Sequence, residues 1–430
     1  MKKKDNIKKI NCHICNSNKV FKIIDFGYVG LAGAFLKKKE ILSEKKYRMR
    51  LYFCKNCLTL QVIDKIKPQI LFKDYFYFSS AIKTLRNHFK KLAEEVKFIL
   101  KGKFSSNVME FGCNDGILLK PLQSKNIKNL IGVDPASNIV KKIKNKNIKV
   151  INNFFSFELS NKIKKKYGKM DIILANNVFA HIYDLNSVTK GIKNILKSDG
   201  SFIFEVHYLG KMIKELQYDM IYHEHVFYHS LLSLTKLFKK NGLIIYNVKP
   251  IKIHAGSMRY YVCHKKFYSK KNKNNKVRNL IEKETKDMFH KKKTFQNFAN
   301  KIEKTKVSLK NLLFKLKKNN KVIYGYGASG RANTILQYCG INKYDLPLII
   351  DDSPAKHGYY TPGSHIKICS AEILSIQKKP DYILLFAWSF LKEVVNRNKQ
   401  YILNGGKIIL PLPEVKVLDY KKLKKLIVKN

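Results

Sequence analysis

The hydrophobic and polar positions of the chain predict buried strands that alternate with helices. Short apolar runs bounded by polar residues or glycines are typical of strands in a parallel sheet, and helical patterns separate them. An α/β fold is therefore expected, in two successive sheets. The runs of the first sheet are Val108–Gly112, Leu130–Asp134, Met170–Ala175 and Ser201–His207, and those of the second are Val322–Gly325, Leu348–Asp352, Tyr382–Phe386 and Lys407–Leu410.

Helical patterns and a predicted hairpin complete this organisation. One helix is expected between Ser80 and Leu100 and another at Leu231–Lys240. The strands Leu243–Val248 and Met258–Cys263 predict a hairpin, and the Lys- and Asn-rich residues 265–320 predict a helical connector. We expect three consecutive domains, at residues 1–70, 71–265 and 266–430.

Composition places the chain among globular proteins. It has 430 residues, of which 45% are hydrophobic and 12% aromatic, and it has no apolar run long enough to span a membrane. The N-terminal segment Met1–Asp5 is not followed by the apolar core of a signal peptide. We therefore expect a cytoplasmic protein with no membrane partner, whose eight cysteines do not form a disulfide framework.

The net charge of +54 would ordinarily indicate a nucleic-acid-binding protein. Only seven of the 85 basic residues are Arg, however, and Lys is scattered over every segment together with abundant Asn and Ile. This distribution is typical of A/T-rich codon usage and forms no basic stripe beside aromatic residues. We expect no nucleic-acid partner, but a general attraction for anionic substrates.

Two CxxC pairs in the first domain predict a metal site. Cys12 and Cys15 are followed, after 38 residues, by Cys54 and Cys57. Paired thiolates in such knuckles suit tetrahedral Zn²⁺ with four protein ligands and no open position, so the metal is expected to hold the fold. His13, inside the first knuckle, is a competing ligand, and four reduced thiols in a small core are the alternative.

The first apolar run of the central domain leads into a glycine-rich turn. Such a turn lets a ligand approach the backbone, and a carboxylate after the next strand can bind both ribose hydroxyls. The spacing E-x-G-x-x-x-G, without a third glycine of the dinucleotide fingerprint, favours S-adenosylmethionine over NAD, and a turn without a ligand is the alternative. The candidate cofactor-binding residues are Glu110, Gly112, Asn114, Asp115 and Gly116, then Asp134 after the second strand, and Asn176 and Asn177 after the third.

A dense group of proton-binding side chains follows the strand Ser201–His207. Residues 222–225 have the sequence Y-H-E-H. A polar cluster beyond the carboxyl end of such a strand is where an open α/β sheet places its chemistry. A solvated turn with structural histidines is the alternative. His181, after the third strand, is expected near the ligand edge of the sheet.

His254, Ser257 and Arg259 stand among small residues and are candidates for substrate binding. An Arg beside Gly and Ser suits a phosphate contact, and an ordinary strand start is the alternative.

The pattern G-x-G-x-x-G at residues 325–330 is that of an NAD-binding turn, with the acids Asp351 and Asp352 about 20 residues further on. Lys356 and His357, two further candidates for substrate binding, lie in an elaborate loop after these acids, and that loop is expected to occupy part of the same crevice.

Taken in order, these motifs resemble the S-adenosylmethionine-dependent sugar C-methyltransferases that act on nucleotide-linked keto-deoxysugars. The resemblance spans nearly the whole chain. It rests on the two CxxC pairs, E-F-G-C-N-D-G at 110–116, N-V-F-A-H at 177–181, Y-H-E-H at 222–225, H-A-G-S-M-R at 254–259, G-Y-G-A-S-G-R at 325–331 and D-D-S-P-A-K-H-G-Y-Y-T-P-G at 351–363. It implies a zinc-binding N-terminal domain, a central class I methyltransferase domain with a Rossmann-like fold, and a C-terminal Rossmann-like domain that lacks a nicotinamide cofactor and shapes the substrate cleft.

The resemblance also implies a reaction, in which a base removes the proton next to the keto group and the enolate takes the methyl group. A neutral imidazole matches a working pH near 7, so His225 is the predicted base. His223 is expected to be structural, because its side chain points away from the site if the segment is extended. The predicted supporting groups are Glu224, the oxyanion donors Tyr222 and His181, and Tyr75 or Tyr77, which would close the site.

Two departures from the family put the identity of the sugar in doubt. Tyr183 stands where the family often has Pro, and Arg331 with Ala332 replaces a more usual Lys-Gly. The alternatives are an NAD-dependent oxidoreductase acting on a nucleotide sugar, a zinc-ribbon nucleic-acid-binding protein, and an O- or N-methyltransferase. The nucleotide, the methylated carbon and the oligomeric state stay open, and a monomer is compatible with the sequence.

Overall fold

The computed structural model describes residues 10–72, 78–271, 274–376 and 379–427. The chain divides into two compact units, each assembled from separate stretches. The first unit comprises Met1–Phe21, Phe53–Gly210 and Val226–Lys292, and the second comprises Lys22–Tyr52, Lys211–His225 and Lys293–Asn430. Residues 22–52 and 211–225 thus belong with the C-terminal stretch, whereas the sequence predicted three consecutive domains. That three-domain division stays a prediction.

The strands of the described residues occur in both units. In chain order they are β1 Val20–Gly30, β2 Lys46–Cys54, β3 Leu60–Val62, β4 Asn107–Phe111, β5 Asn129–Val133, β6 Ile148–Ile151, β7 Met170–Asn176, β8 Leu196–His207, β9 Phe227–Tyr228, β10 Leu243–Ile251, β11 Ser257–His264, β12 Ile323–Tyr326, β13 Leu348–Ile350, β14 Lys367–Cys369, β15 Tyr382–Leu385, β16 Lys407–Leu410 and β17 Lys416–Leu418.

The α-helices of the same residues range from one turn to seven turns in length. They are α1 Pro68–Phe72, α2 Lys83–Ile99, α3 Leu119–Gln123, α4 Ser137–Val140, α5 Phe157–Tyr167, α6 Leu185–Ile195, α7 Leu209–Lys214, α8 Leu231–Lys240, α9 Tyr268–Lys271, α10 Lys276–Lys286, α11 Lys292–Lys318, α12 Gly330–Cys339, α13 Ile373–Ile376, α14 Leu391–Arg397, α15 Lys399–Leu403 and α16 Tyr420–Leu423.

The first unit is built on a seven-stranded sheet in the order β10-β11-β8-β7-β4-β5-β6. Strands β4 to β8 are parallel, and β11 runs antiparallel to both β8 and β10. This arrangement confirms the predicted α/β fold of the methyltransferase class and the predicted hairpin. It also brings the carboxyl ends of β4, β5 and β7, with their predicted cofactor residues, to one edge of the sheet.

Both faces of this sheet are apolar because helices cover both. On one face, Phe202 and Phe204 of β8 pack with Phe179 and with Phe238 of α8. On the other, Ile203 lies in a core with the apolar face of α2. The alternation along β8 thus directs successive side chains into two cores.

Within the first unit, β3 pairs antiparallel with β9, so that Gln61 lies opposite Phe227. The helix α8 begins after β9 and has the bounds that the sequence predicts. Its start is fixed by Ser230, whose hydroxyl accepts a hydrogen bond from the amide of Ser233.

The second unit contains a six-stranded sheet in the order β14-β13-β12-β15-β16-β17. All its strands are parallel except β17. The helix α12 follows the glycine-rich turn after β12 and is capped by the Ser329 hydroxyl, which accepts from the Ala332 amide at 3.2 Å. This confirms the predicted second Rossmann-like sheet.

None of the helices in the described ranges combines the length and the apolar character that a membrane crossing requires.

Candidate functional site

The four predicted metal ligands lie together in the first unit. The Sγ atoms of Cys12, Cys15, Cys54 and Cys57 are all within 4.8 Å of one another. The Sγ atoms of Cys12 and Cys57 are 3.5 Å apart, and those of Cys15 and Cys54 are 3.6 Å apart. Four thiolates about 2.3 Å from a tetrahedral zinc ion would be roughly 3.8 Å apart, so the cluster fits Zn²⁺ and leaves no position for a substrate.

Neighbouring groups support this cluster. The Gln61 amide donates to Cys12 Sγ at 3.1 Å, and the His13 backbone amide donates to Gln61 Oε1 at 2.9 Å. Hydrogen bonds from Cys54 and Cys57 hold the pKa of the Cys12 thiol well below its usual value. His13 Nε2 lies 3.1 Å from the Ile63 carbonyl, outside the set of four sulfurs, so the competing ligand considered in the sequence takes a different role.

The glycine-rich turn after β4 adopts backbone angles that need its residue types. Gly112 and Gly116 have φ values of +69° and +78°, and Asn114 has a φ of +48°. A Cβ on Gly112 would lie only 2.7 Å from Val178 Cβ. A side chain at Gly112 would therefore displace the turn from the segment after β7.

Asp134, directly after β5, faces this turn. Its carboxylate accepts from the backbone amides of Asn114 and Ala136, both at 2.9 Å. Burial nevertheless raises the pKa of Asp134 above its ordinary value. The carboxylate keeps lone pairs for the hydroxyl groups of a ligand, as the prediction for Asp134 requires.

Three buried acceptor oxygens mark this edge of the sheet. Within the described part of the chain, Glu110 Oε2, Asp115 Oδ1 and Asn176 Oδ1 have no hydrogen-bond partner. Burial raises the pKa of Glu110 to about 8, although the Asn176 amide donates to its other oxygen at 3.0 Å. Buried polar atoms normally have partners. A ligand bearing an ammonium group and hydroxyls, as S-adenosylmethionine does, would supply the missing donors.

The residues after β7 follow the same edge. Asn177 has a φ of +56° and donates its amide to the Glu205 carbonyl at 2.9 Å. His181 ends a short 3₁₀ helix, and burial lowers its pKa to about 4. Its imidazole is therefore neutral near pH 7, and its one N–H donates to the Asn177 carbonyl. The charge of His254, another predicted site residue, acts in the same direction on His181.

Arg259, a candidate phosphate contact, is bound by acidic side chains of the same unit. Its guanidinium is buried and lies 2.5 Å from carboxylate oxygens of both Glu205 and Glu95. Although burial acts to lower it, these two charges raise the pKa of Arg259 above its usual value. The guanidinium is already paired with both acids, so a structural role fits it better than a phosphate contact does. Ser257 is also buried and donates to the Ile253 carbonyl at 3.3 Å.

The partners of Arg259 include residues that the sequence analysis missed. His88 of α2 lies with its Nε2 2.8 and 3.0 Å from the two carboxylate oxygens of Glu205. Glu205 stands opposite both Asn176 of β7 and Arg259 of β11 in the sheet. The sequence offered one signal, the single acid Glu205 inside the apolar run of β8. A fully buried charge requires partners, so this acid indicated that basic side chains lie near it.

The residues Tyr222 to His225 lie in the second unit and form a turn, in which the His225 amide donates to the Tyr222 carbonyl at 2.9 Å. The His225 Nδ1 atom lies 2.9 Å from the Met220 carbonyl, and Nε2 lies 2.9 Å from the Tyr222 hydroxyl. A carbonyl can only accept, so Nδ1 carries the proton of the neutral ring. Nε2 then has the lone pair that a base needs.

The other two residues of this turn are His223 and Glu224. The segment is a turn and not extended, so side-chain alternation does not apply to His223. That imidazole is nevertheless buried, with Nε2 3.0 Å from the Arg48 carbonyl, which agrees with a structural role. Burial raises the pKa of Glu224 to about 7, although a hydrogen bond from the Gly33 backbone acts to lower it.

The second glycine-rich turn, after β12, is occupied by groups of the chain itself. Lys356 Nζ donates to the Ala328 carbonyl at 2.7 Å and lies 3.2 Å from a carboxylate oxygen of Asp351. His357 Nε2 donates to the Asp351 carbonyl at 2.8 Å. The acid that would bind the ribose of NAD is therefore paired with a lysine. This geometry disfavours the NAD alternative, and it gives Lys356 and His357 intramolecular partners in place of the predicted substrate.

Tyr75 and Tyr77, the predicted residues for closing the site, lie outside the described residues.

Family models for three kinds of domain match consecutive parts of the chain. A zinc binding domain matches residues 12–72, a methyltransferase domain matches residues 84–248, and a C-methyltransferase C-terminal domain matches residues 252–413. The C-methyltransferase NovU of Streptomyces niveus is 28% identical over 409 residues, which cover 95% of this chain and 96% of NovU.

Solved structures are more distantly similar. The magnesium protoporphyrin IX methyltransferase of Synechocystis PCC 6803, solved with bound SAM, is 14% identical and covers 42% of this chain and 81% of its own, with a TM-score of 0.32. The PH0226 protein of Pyrococcus horikoshii OT3 is 16% identical and covers 46% of this chain and 99% of its own, with a TM-score of 0.36. These similarities are too weak to assign a function, which rests on the family models and NovU.

Proposed function

The chain belongs to the C-methyltransferase family, and we propose that it uses S-adenosylmethionine to methylate a carbon next to the keto group of a nucleotide-linked deoxysugar. The structural observation that carries the proposed base is the orientation of the His225 ring, whose Nδ1–H donates to the Met220 carbonyl at 2.9 Å and leaves Nε2 for the proton. Methyl transfer to carbon requires a carbon nucleophile, and a ketone provides one when a base removes the adjacent proton.

In the proposed reaction, His225 Nε2 takes this proton. The Tyr222 hydroxyl, 2.9 Å from Nε2, donates to the lone pair in the resting turn and is released to donate to the developing enolate oxygen. A base placed at the reacting carbon contributes roughly 10²–10⁴-fold to the rate. Glu224, whose pKa is raised to about 7 by burial, is available to orient a sugar hydroxyl as donor or acceptor.

His181, the other predicted donor to the enolate oxygen, is assigned a structural role. Burial lowers its pKa to about 4, so the ring is neutral and has one N–H, and that N–H donates to the Asn177 carbonyl.

S-adenosylmethionine supplies an electrophilic methyl group on a sulfonium. The residues proposed to hold it are those of the first glycine-rich turn, with Asp134 on the ribose hydroxyls and the unpartnered oxygens of Glu110 and Asn176 toward the ammonium group. Gly112 and Gly116 allow the backbone to approach the ligand. The proposed zinc ion at the four cysteines stabilises the fold and takes no part in the transfer.

The proposed substrate class follows from the reaction and from the charge of the chain. A keto-deoxysugar has an acidic proton beside its carbonyl, and a nucleoside diphosphate is an anion that a chain of net charge +54 attracts. We propose that the reaction takes place in the cytoplasm, without a nucleic-acid or membrane partner.

Solvent exchange tests the proposed base directly. The purified protein is mixed with nucleotide-linked 4-keto sugars in D₂O without S-adenosylmethionine, and the proton next to the keto group is followed by NMR. Wild type should exchange it, and His225→Asn should slow the exchange by about 100-fold or more. His365→Asn is the matched control, because this imidazole of the same unit is paired with Glu44 at 2.7 Å and should leave the rate unchanged. Exchange by His225→Asn at the wild-type rate would refute the assignment of the base.

A further inference from the structure

A buried ion pair of the second unit lies directly before the turn that carries His225. The side chain of Asp219 is fully buried, and its Oδ2 accepts from Arg331 Nε at 2.8 Å and from Trp388 Nε1 at 2.9 Å. Arg331 Nη2 lies 2.6 Å from the same oxygen, and the guanidinium lies over the Trp388 ring, 4.9 Å from its centroid. Asp219 is therefore held from two sides.

A second contact from the same helix holds the other side of this segment. The Thr334 hydroxyl donates to the Ile221 carbonyl at 2.8 Å. Arg331 and Thr334 are three residues apart in α12, so they lie on one face of the helix. One helix face thus binds the residue before Met220 and the residue after it.

Met220 connects this helix face to the proposed base. Its carbonyl is the group that accepts from His225 Nδ1 at 2.9 Å. The position of that carbonyl decides whether the proton stays on Nδ1 and leaves Nε2 as the acceptor. Because Asp219 and Ile221 flank Met220 and are both bound to α12, the orientation of this carbonyl is set by Arg331 and Thr334.

We propose that Arg331 and Thr334 are positioning residues that fix the tautomer and the orientation of His225 through Asp219, Ile221 and the Met220 carbonyl. The inference rests on the proposed function for its kinetic consequence, but the tautomer is observable without substrate. Buried ion pairs are a weak source of stability. Here the pair fixes one carbonyl, in the way that an orienting group fixes the imidazole of a nucleophile–base pair.

Arg331 suits this position better than a lysine would. Arg presents two nitrogens to Asp219 Oδ2 together with a planar face to Trp388, and Lys offers a single point charge.

The test compares two variants with two matched controls. Thr334→Val removes the hydroxyl donor without changing the shape, and Arg331→Gln removes the charge. Thr305→Val removes a hydroxyl that donates to the Lys301 carbonyl at 3.0 Å within α11, and Arg397→Gln removes the arginine paired with Asp352. Neither control residue contacts the segment Tyr218–Ile221 through any hydrogen bond or ion pair of the described chain.

The expected kinetic result is a loss of turnover without a loss of cofactor binding. Thr334→Val should lower the exchange rate and kcat about tenfold, and Arg331→Gln about 100-fold, because small misplacements of a catalytic group have effects of this size. Arg331→Lys should recover part of the loss. The controls should exchange at the wild-type rate, and the Kd for S-adenosylmethionine should not change in any of the five single variants.

A spectroscopic readout separates this inference from the proposed function. In ¹⁵N-histidine-labelled protein, the His225 signals are identified by their absence in His225→Asn. Wild type should show Nδ1 protonated, and Thr334→Val should shift the ring toward a mixture of tautomers. Unchanged His225 signals in folded Thr334→Val would overturn the positioning role, and so would an unchanged exchange rate with a keto sugar that wild type does exchange. A wild type that exchanges no keto sugar but shows the predicted shift would overturn the proposed function and leave the positioning role standing.

Discussion

Two glycine-rich turns of this chain follow a parallel strand and lead toward a helix, and they differ in what surrounds them. Beside the turn after β4, three buried acceptor oxygens, on Glu110, Asp115 and Asn176, lack partners within the described residues. Beside the turn after β12, Asp351 is paired with Lys356, whose Nζ also donates to the Ala328 carbonyl at 2.7 Å.

The difference teaches that glycine spacing alone does not identify a ligand site. The second turn has the more complete G-x-G-x-x-G fingerprint, yet its acid already has a cation. The first turn has the weaker pattern, yet its acid, Asp134, accepts from backbone amides and has lone pairs left for a ligand. The pairing of the acid therefore distinguishes the two turns better than the glycine fingerprint does.

The largest effect is expected at the four cysteine thiols of the proposed zinc site, a third place where side chains are arranged for a ligand. Apparent zinc-binding free energies of about 10–16 kcal/mol are typical of small structural sites, so metal removal should unfold the N-terminal module. Cys54→Ser should lower Tm strongly in a calorimetric scan and abolish zinc retention. Cys369→Ser, outside the cluster, should keep both at the wild-type level. Full zinc retention by Cys54→Ser would contradict the assignment of this cysteine as a ligand.

The next largest effect comes from matched substitutions of the two acids. Asp134→Asn removes a charged acceptor for ribose hydroxyls, which is worth about 1.5–3 kcal/mol, or roughly 10- to 150-fold in the Kd for S-adenosylmethionine. Asp351→Asn should leave that Kd unchanged and lower Tm, because Lys356 loses its partner. Calorimetric titration measures both affinities. Equal effects of the two variants would remove the distinction between the turns.

The pH dependence of stability and of S-adenosylmethionine affinity should distinguish the two turns further. The pKa of Glu110 is raised from its ordinary value to about 8 by burial, so the folded chain binds a proton that the unfolded chain lacks between about pH 4.5 and 8. This group's contribution to stability is therefore lost as the pH rises through that window. An ammonium group favours the carboxylate, so affinity for S-adenosylmethionine should rise toward pH 8, by up to about tenfold per pH unit.

Glu110→Gln is the variant that checks this mechanism. It should abolish the part that Glu110 contributes to the pH dependence of stability and to the pH dependence of S-adenosylmethionine affinity. The number of protons released on binding, measured by calorimetric titration in buffers of different ionisation enthalpy, should also fall. A wild-type affinity that is flat between pH 6 and 9 would show that Glu110 does not face the ammonium group.

The smallest expected effect concerns NAD. Millimolar NAD should not shift the Tm of wild type, whereas S-adenosylmethionine at 100 times its Kd should stabilise the fold by about 2.7 kcal/mol. Lys356→Ala frees Asp351 and is the variant with the best chance of showing weak dinucleotide binding. A clear NAD-dependent increase in the Tm of wild type would support the oxidoreductase alternative.

Much of the fold was predictable because local patterns and tertiary packing agree. The bounds of α8 were predicted correctly, since Ser230 caps a strongly amphipathic segment. The four cysteine ligands were predictable because their chemistry and spacing leave few other uses. The short strand β6 and the pairing of β3 with β9 carry little local signal, and neither was predicted.

The supporting contacts of the site were not predictable from one sequence. The partners of Arg259 are Glu95 and Glu205, which are 164 and 54 residues away along the chain. The contact of Arg331 with Asp219 spans 112 residues. Nothing local in either arginine motif distinguishes a phosphate contact from a buried ion pair, because only the folded chain reveals which carboxylate is near.

The most direct test of the account is transfer of a ¹³C-labelled methyl group from S-adenosylmethionine to a panel of nucleotide-linked 4-keto sugars, followed by NMR of the product. The account predicts a labelled methyl group bonded to the ring carbon next to the keto group, seen as long-range correlations to that carbon, with no signal in the methoxy range. A label on oxygen or nitrogen, or no transfer to any keto sugar by a protein that binds S-adenosylmethionine, would contradict it.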